Sequence, residues 1–167
     1  MPLIKDGQLT ANDWQHLEDD APLSAGNISV SYTRWLAEQD QLLPRLKDGQ
    51  LALRLNGNNP LEELSAETCA KFPMIALEFP AFVDGRCFSY ARTLRDTYGY
   101  KGEIRAVGNF IRDQLYFLSR VGFNAYEFAT EAEAQQAMQA LDDFSVNYQL
   151  GSDGKPAVRQ QLGNKNS

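Results

Sequence analysis

Histidine is almost absent from this chain: His16 is the only one in 167 residues, and it lies in the acidic stretch 12–20. That argues against a histidine-dependent triad and against a multi-histidine metal site. Cysteine is nearly as scarce. Cys69 and Cys87 form no CxxC pair, so they supply neither a disulfide framework nor enough thiolates for an iron–sulfur cluster, and a reducing interior is the plain reading. No GxGxxG follows a strand and no GxxxxGK[ST] occurs; with no nucleotide, haem, iron–sulfur or metal motif, the cofactor is left unknown. Basic residues are outnumbered, 16 Lys and Arg against 22 Asp and Glu for a net charge of −6. This argues against nucleic acid as the main partner and leaves docking on a basic protein surface open. No apolar run reaches membrane-spanning length, and the opening ten residues lack the apolar core of a signal peptide, so a cytoplasmic protein is expected.

What is present is ordinary in amount and informative in order. Apolar content of 43% and charged content of 23% fit one globular domain, expected over residues 1–150. The Gly-, Asp-, Lys-, Gln- and Asn-rich tail 151–167 is expected to be disordered. Residues 2–10 place a Lys-Asp-Gly-Gln turn between apolar pieces, a hairpin pattern. In 12–20, Trp14 and Leu17 stand three apart, the spacing of one helical turn. A strand is expected at 28–32, a short amphipathic helix at 35–43 ending before Pro44, and a strand at 51–55. A helix starting at Pro60 and running through Leu61, Leu64 and Cys69 follows. Short apolar runs at 74–79, 103–107 and 125–128 then alternate with segments of helical period, stopped by Gly99 and Gly122. Thr130 and Glu133 form a capping box for a last helix through Ala134, Ala137, Met138 and Leu141. Strand–helix–strand repetition predicts parallel strands joined by crossovers.

Side chains alternate along a strand, and here the two parities differ in kind. Leu51, Leu53, Leu55, Ile75, Leu77, Phe79, Ile104, Ala106, Tyr126 and Phe128 share one face. The other carries Ala52, Arg54, Ala76, Glu78, Glu103, Arg105, Val107, Ala125 and Glu127. A parallel sheet covered on both sides reads as continuous apolar runs, which these strands do not. The expected architecture is therefore an α/β domain of repeated strand–helix units. Its sheet is mainly parallel, its helices are biased to one face, and its shape is a barrel or half-barrel. The competing architecture is a three-layer open sheet whose polar face is covered by a terminal segment or helix. A half-barrel leaves its inner face open, and a homodimer that buries it is expected on that ground.

Two sets of candidate residues follow. On the polar face, Arg54, Glu78, Arg105 and Glu127 come one per strand. They make a salt-bridge ladder, or a binding face in which the arginines hold an oxyanion and Glu78 or Glu127 acts as acid or base. Beyond the central strand, Asp84, Gly85, Arg86 and Ser89 occupy the place where parallel sheets bind ligands, although Asp84 as a helix cap explains the same residues. Asn109, Arg112 and Asp113 hold the equivalent place after the next strand. Cys87 borders a helix N-terminus where a thiol could be activated, and equally reads as a small buried residue.

The run Glu78-Phe79-Pro80, Asp84-Gly85-Arg86, Phe88-Ser89 and Ala91-Arg92 continues into Gly99-Tyr100 and Gly102-Glu103-Ile104-Arg105-Ala106. Asp113-Gln114-Leu115 and Gly122-Phe123-Asn124-Ala125-Tyr126 complete it. This series resembles an uncharacterised bacterial family, a domain of unknown function commonly labelled a sulfite-reduction oxidoreductase. The opening Leu3-Ile4-Lys5-Asp6-Gly7, Trp14 and Asp20-Ala21-Pro22-Leu23 are similar to it as well. Cys87 stands where the family pattern has a small residue, which weakens a redox role for that thiol, and Asn124 replaces an aspartate. The resemblance implies a place in sulfur assimilation. One reading is a non-catalytic accessory factor that docks on the sulfite reductase or its electron donor through an acidic surface. The other is a small enzyme or anion-binding protein. There Arg105 and Arg86 grip a sulfur oxyanion or phosphorylated ligand, and Glu78 or Glu127 transfers a proton.

Overall fold

A computed structural model of the chain describes residues 1–80, 85–108 and 115–147. The tail 151–167 and the positions Asp84, Asn109, Arg112 and Asp113 lie outside them. The chain opens with a hairpin, β1 (Leu3–Lys5) and β2 (Gln8–Thr10), whose two-residue turn puts Asp6 at φ 53° and Gly7 at φ 80°. Both left-handed positions match the twist of the flanking strands. Then come β3 (Trp14–His16), β4 (Asn27–Ser31), α1 (Tyr32–Ala37), α2 (Gln39–Lys47), β5 (Leu51–Asn56), α3 (Ala66–Ala70) and β6 (Met74–Phe79). The second half is α4 (Arg86–Arg92), continued as a π-turn over Thr93–Thr97, β7 (Glu103–Gly108), α5 (Leu115–Val121), β8 (Ala125–Glu127) and α6 (Glu131–Asn147).

Among the described residues the strands form one eight-stranded sheet in the order β2-β1-β8-β7-β6-β5-β4-β3. The pairs from β8 to β3 are parallel, and β1 joins β8 and β2 antiparallel. The large apolar parity of the strands packs with helical residues such as Trp35, Leu42, Leu46, Leu94, Leu118 and Ala134 in one main core. Ala52, Met74, Ala76 and Val107, of the opposite parity, form a separate small cluster against Trp14. The helices therefore lie on one side and the sheet is a half-barrel. Its curl is visible in one contact. β8 and β3 are five strand steps apart, roughly 24 Å in a flat sheet, yet Glu127 and His16 meet side chain to side chain at 2.9 Å.

Three expectations are corrected. Residues 14–16 are an edge strand parallel to β4, not a helical turn; the three-apart spacing of Trp14 and Leu17 reflects packing into two different clusters. The helix expected at 35–43 is two helices broken at Glu38, and Pro44 lies inside the second without ending it. The helix expected from Pro60 is a 3-10 turn, Leu61–Glu63, followed by the separate α3, which Ser65 caps through the Thr68 N–H. Gly99 and Gly122 do stop their helices at positive φ, and Thr130 accepts the Glu133 N–H at 3.2 Å. The inner face on whose openness a homodimer is expected is partly covered by Trp14 from the same chain.

Candidate functional site

The inner face of the half-barrel carries a connected set of charged side chains, and strand register explains their grouping. Arg54 and Arg105 are both level with Ala76, on its two sides, whereas Glu78 is level with Asn56 and Val107. The charges are thus staggered and fall into two groups instead of one continuous ladder. In the deeper group Arg105, 1% exposed, donates from Nε to Glu103 at 2.6 Å, from Nη1 to Glu127 at 2.5 Å and from Nη1 to Asn12 Oδ1 at 2.9 Å. Lys5 reaches the other oxygen of Glu103 at 3.2 Å. In the outer group Arg54 donates to Ser29 Oγ and to the Leu17 carbonyl, both at 3.0 Å, and stands 3.8 Å from Glu78, whose side chain is half exposed.

His16 joins the two groups. Its Nε2 lies 2.9 Å from Glu127 and its Nδ1 2.5 Å from Ser29 Oγ. Because the carboxylate only accepts, Nε2 carries a proton; in the neutral imidazole the Ser29 hydroxyl then donates to Nδ1 while accepting from Arg54, and in the imidazolium Nδ1 donates to Ser29 Oγ. The order serine, histidine, glutamate is that of a hydrolytic triad, but Ser29 is fully buried and its oxygen is already held by Arg54. The chain of contacts ties the inner face together, with the Ser29 hydroxyl closed off from the cavity.

Burial alone raises the pKa of Glu127. The hydrogen bond and charge of His16, and then those of Arg105, outweigh that and hold the carboxyl below its ordinary value. A carboxyl lowered in the folded state stabilises the fold above the unfolded-state pKa, and that contribution is lost as pH falls through the folded value. Acid titration of unfolding free energy from mildly acidic pH downward is therefore expected to fall more steeply for the native chain than for Glu127→Gln. Parallel curves would show that Glu127 adds nothing to acid sensitivity.

Above this layer, at the carboxyl ends of β5, β6 and β7, lies a cavity of about 700 Å³ whose wall includes His16, Arg54, Glu78, Val107, Gly108 and Glu127. One lip is the turn Glu18-Asp19-Asp20. Buried Arg34 holds the Glu18 carbonyl at 2.8 Å, and Ser31, the cap of α1, donates to Asp19 at 2.6 Å. The facing lip is the loop through Asn56 and Asn59. Asn59 accepts the Asn56 N–H at 2.8 Å, and the Tyr90 hydroxyl donates to the Asn59 carbonyl. Among the described residues the cavity wall carries five carboxylates, Glu18, Asp19, Asp20, Glu78 and Glu127, against the single guanidinium of Arg54.

The residues singled out in the sequence are thus divided. Arg54, Glu78 and Glu127 reach the cavity, and Arg105 lies beneath it. Arg86 is exposed and donates to Asn58 Oδ1 at 3.1 Å, bracing the loop of one lip, and Ser89 is exposed on α4 away from the cavity wall. Asp84 and Arg112 lie outside the described residues. As an oxyanion grip, Arg105 would have to exchange two carboxylates and an amide for the ligand. Cys87 is fully buried with its thiol on the Glu78 carbonyl, and burial pushes the Cys69 thiol up to about 11. Among the described residues no group of three or more His, Cys, Asp or Glu side chains is placed to hold a metal ion, and no helix is long and apolar enough to cross a membrane. Ser29 and Asn12 were not singled out by the sequence, and His16 was noted there only as the sole histidine; the one local signal at Ser29 is the alternation of polar Asn27, Ser29 and Ser31 with apolar Ile28 and Val30 along β4.

A family model described as "Bacterial protein of unknown function (DUF934)" matches residues 52–158. That span takes in Arg54, Glu78, Arg105 and Glu127 but not His16 or the turn 18–20. No curated protein and no solved structure matches the chain.

Proposed function

Starting from a chain that belongs to the bacterial family of unknown function DUF934, we propose a non-catalytic accessory protein of assimilatory sulfite reduction. It docks through its acidic cavity mouth on a basic patch of the sulfite reductase or of the reductase's electron donor, in the cytoplasm. The observation that carries the reading is the imbalance at the mouth. Among the described residues Glu18, Asp19, Asp20 and Glu78 line it with Arg54 as the only guanidinium, while Arg105 is spent between Glu103 and Glu127. Such a surface attracts cationic side chains and repels a free sulfur oxyanion. The sulfite context comes from the sequence resemblance described above. The overall charge of −6 favours the same class of partner.

Docking of this kind responds to salt and to rim charges. Binding of the full-length protein to purified sulfite reductase and to its electron donor, followed by calorimetry, is expected with one of the two and is expected to weaken as salt rises. Asp20→Asn combined with Glu78→Gln is expected to lower the affinity by about tenfold, the scale of a rim-charge contribution. Binding that ignores both salt and the two substitutions, or no binding to either protein, would overturn the reading.

A further inference from the structure

We propose that residues 12–16 are a strap, latched by His16 on Glu127, that opens over the inner face of the half-barrel without unfolding the main core. The inference does not rest on docking; it follows from how the segment is attached. β3 is the last strand of the sheet and pairs with β4 alone, through Trp14 with Asn27, Gln15 with Ile28 and His16 with Ser29. His16 Nδ1 also meets Ser29 Oγ on β4, and Gln15 and Asn12 bond locally to Ser24 and to the Met1 carbonyl; three further ties cross the inner face to strands that β3 does not pair with. Asn12 accepts from Arg105 on β7, His16 meets Glu127 on β8, and Trp14 packs on the small cluster of Ala52, Met74, Ala76 and Val107.

None of these contacts belongs to the main core. Leu17, just beyond the strap, is buried in that core, and its N–H bonds to the Ser29 carbonyl at 3.0 Å. The turn after it is held by Arg34 and Ser31. The segment is therefore held at one end by Leu17 and at the other by the β1–β2 hairpin, whose Ile4 is in the main core, and between them only the half-buried Trp14 gives it an apolar contact. Segments with few apolar contacts open locally, at lower free energy than the core strands. When this one lifts, Arg105, Ser29 and Glu127, now nearly or fully buried, come to face the cavity. The alanines at 52 and 76 are explained by the same device, because a larger side chain there would occupy the space of Trp14.

Hydrogen exchange of the full chain, read by mass spectrometry with and without mild denaturant, tests this. Amides of residues 14–16 are expected to exchange at least about a hundredfold faster than those of β6 and β7, with little denaturant dependence, the signature of a local opening. His16→Ala is expected to speed exchange at 14–16 about tenfold further and to leave β6 and β7 unchanged. His16→Gln, which keeps an N–H donor for Glu127, is expected to restore part of the protection. Exchange of strap and central strands at one common free energy overturns the proposal. So does acceleration of both by His16→Ala, a His16→Gln chain no better protected than His16→Ala, or a His16→Ala chain that fails to fold, since the latch would then hold the whole structure.

Discussion

Replacing Arg105 by alanine is expected to lower the unfolding free energy by about 3–5 kcal/mol, the usual consequence of stripping one partner from a buried ionic group. Glu103 and Glu127 are both buried, and each takes one of the shortest contacts of the inner face from this guanidinium. The loss is expected at the lower end of the range, because Lys5 stays on Glu103 and His16 on Glu127. Denaturant titration of the two proteins gives the difference. Arg105→Met combined with Glu127→Gln is expected to recover much of it, because removing both charges leaves fewer unpaired groups than removing one. A loss below about 1 kcal/mol for the single substitution, the level of an exposed ion pair, would mean that solvent reaches these carboxylates and that the inner face is not closed as described.

Gly108→Ala should be the other large effect. Gly108 ends β7 with φ at 89°, and an added Cβ would stand 2.5 Å from the Phe79 carbonyl oxygen and 3.2 Å from its nitrogen. The left-handed backbone alone costs about 1–3 kcal/mol for a residue with a side chain. The close approach adds to that, since Gly108 is directly paired with Phe79 across the β6–β7 ladder, and relief requires the two strand ends to part. Gly7→Ala supplies the control: its φ is similar at 80°, but nothing lies within 4 Å of the added atom. The denaturation midpoint of Gly108→Ala is expected to fall clearly further than that of Gly7→Ala. Equal falls would assign the whole effect to backbone strain and remove the close approach at the cavity wall.

The parts of the fold legible in the sequence are those set by local rules. Leu51, Leu53 and Leu55 against Ala52 and Arg54, or Ile75, Leu77 and Phe79 against Ala76 and Glu78, separate the two faces because successive side chains on a strand point to opposite sides. That alternation is sufficient to place the helices on one side and the charges on the other. Gly99 and Gly122 end helices because their positive φ suits glycine. β3 was illegible for the opposite reason. Three residues, Trp14, Gln15 and His16, are too few to display a period, and they hold their place through groups far along the chain. Pro44 misled because a proline, although it lacks the N–H, was accommodated in α2 after a new start at Glu38.

For the site, the sequence by itself determined which charges share a face: Arg54, Glu78, Arg105 and Glu127, with Ala52 and Ala76 between them. Only the tertiary structure decided how they combine. Register places Arg54 and Arg105 on either side of Ala76 and sets Glu78 one step further out, so the carboxylates divide between a buried layer and an acidic mouth. Curvature accumulated over five strand steps brings His16 to Glu127, 111 residues apart, and that contact makes the chain's sole histidine a tie across the inner face of the half-barrel. Alternation and glycine φ are properties of neighbouring residues. Register and curvature belong to the assembled sheet, and they exist only once strands distant in the chain have paired.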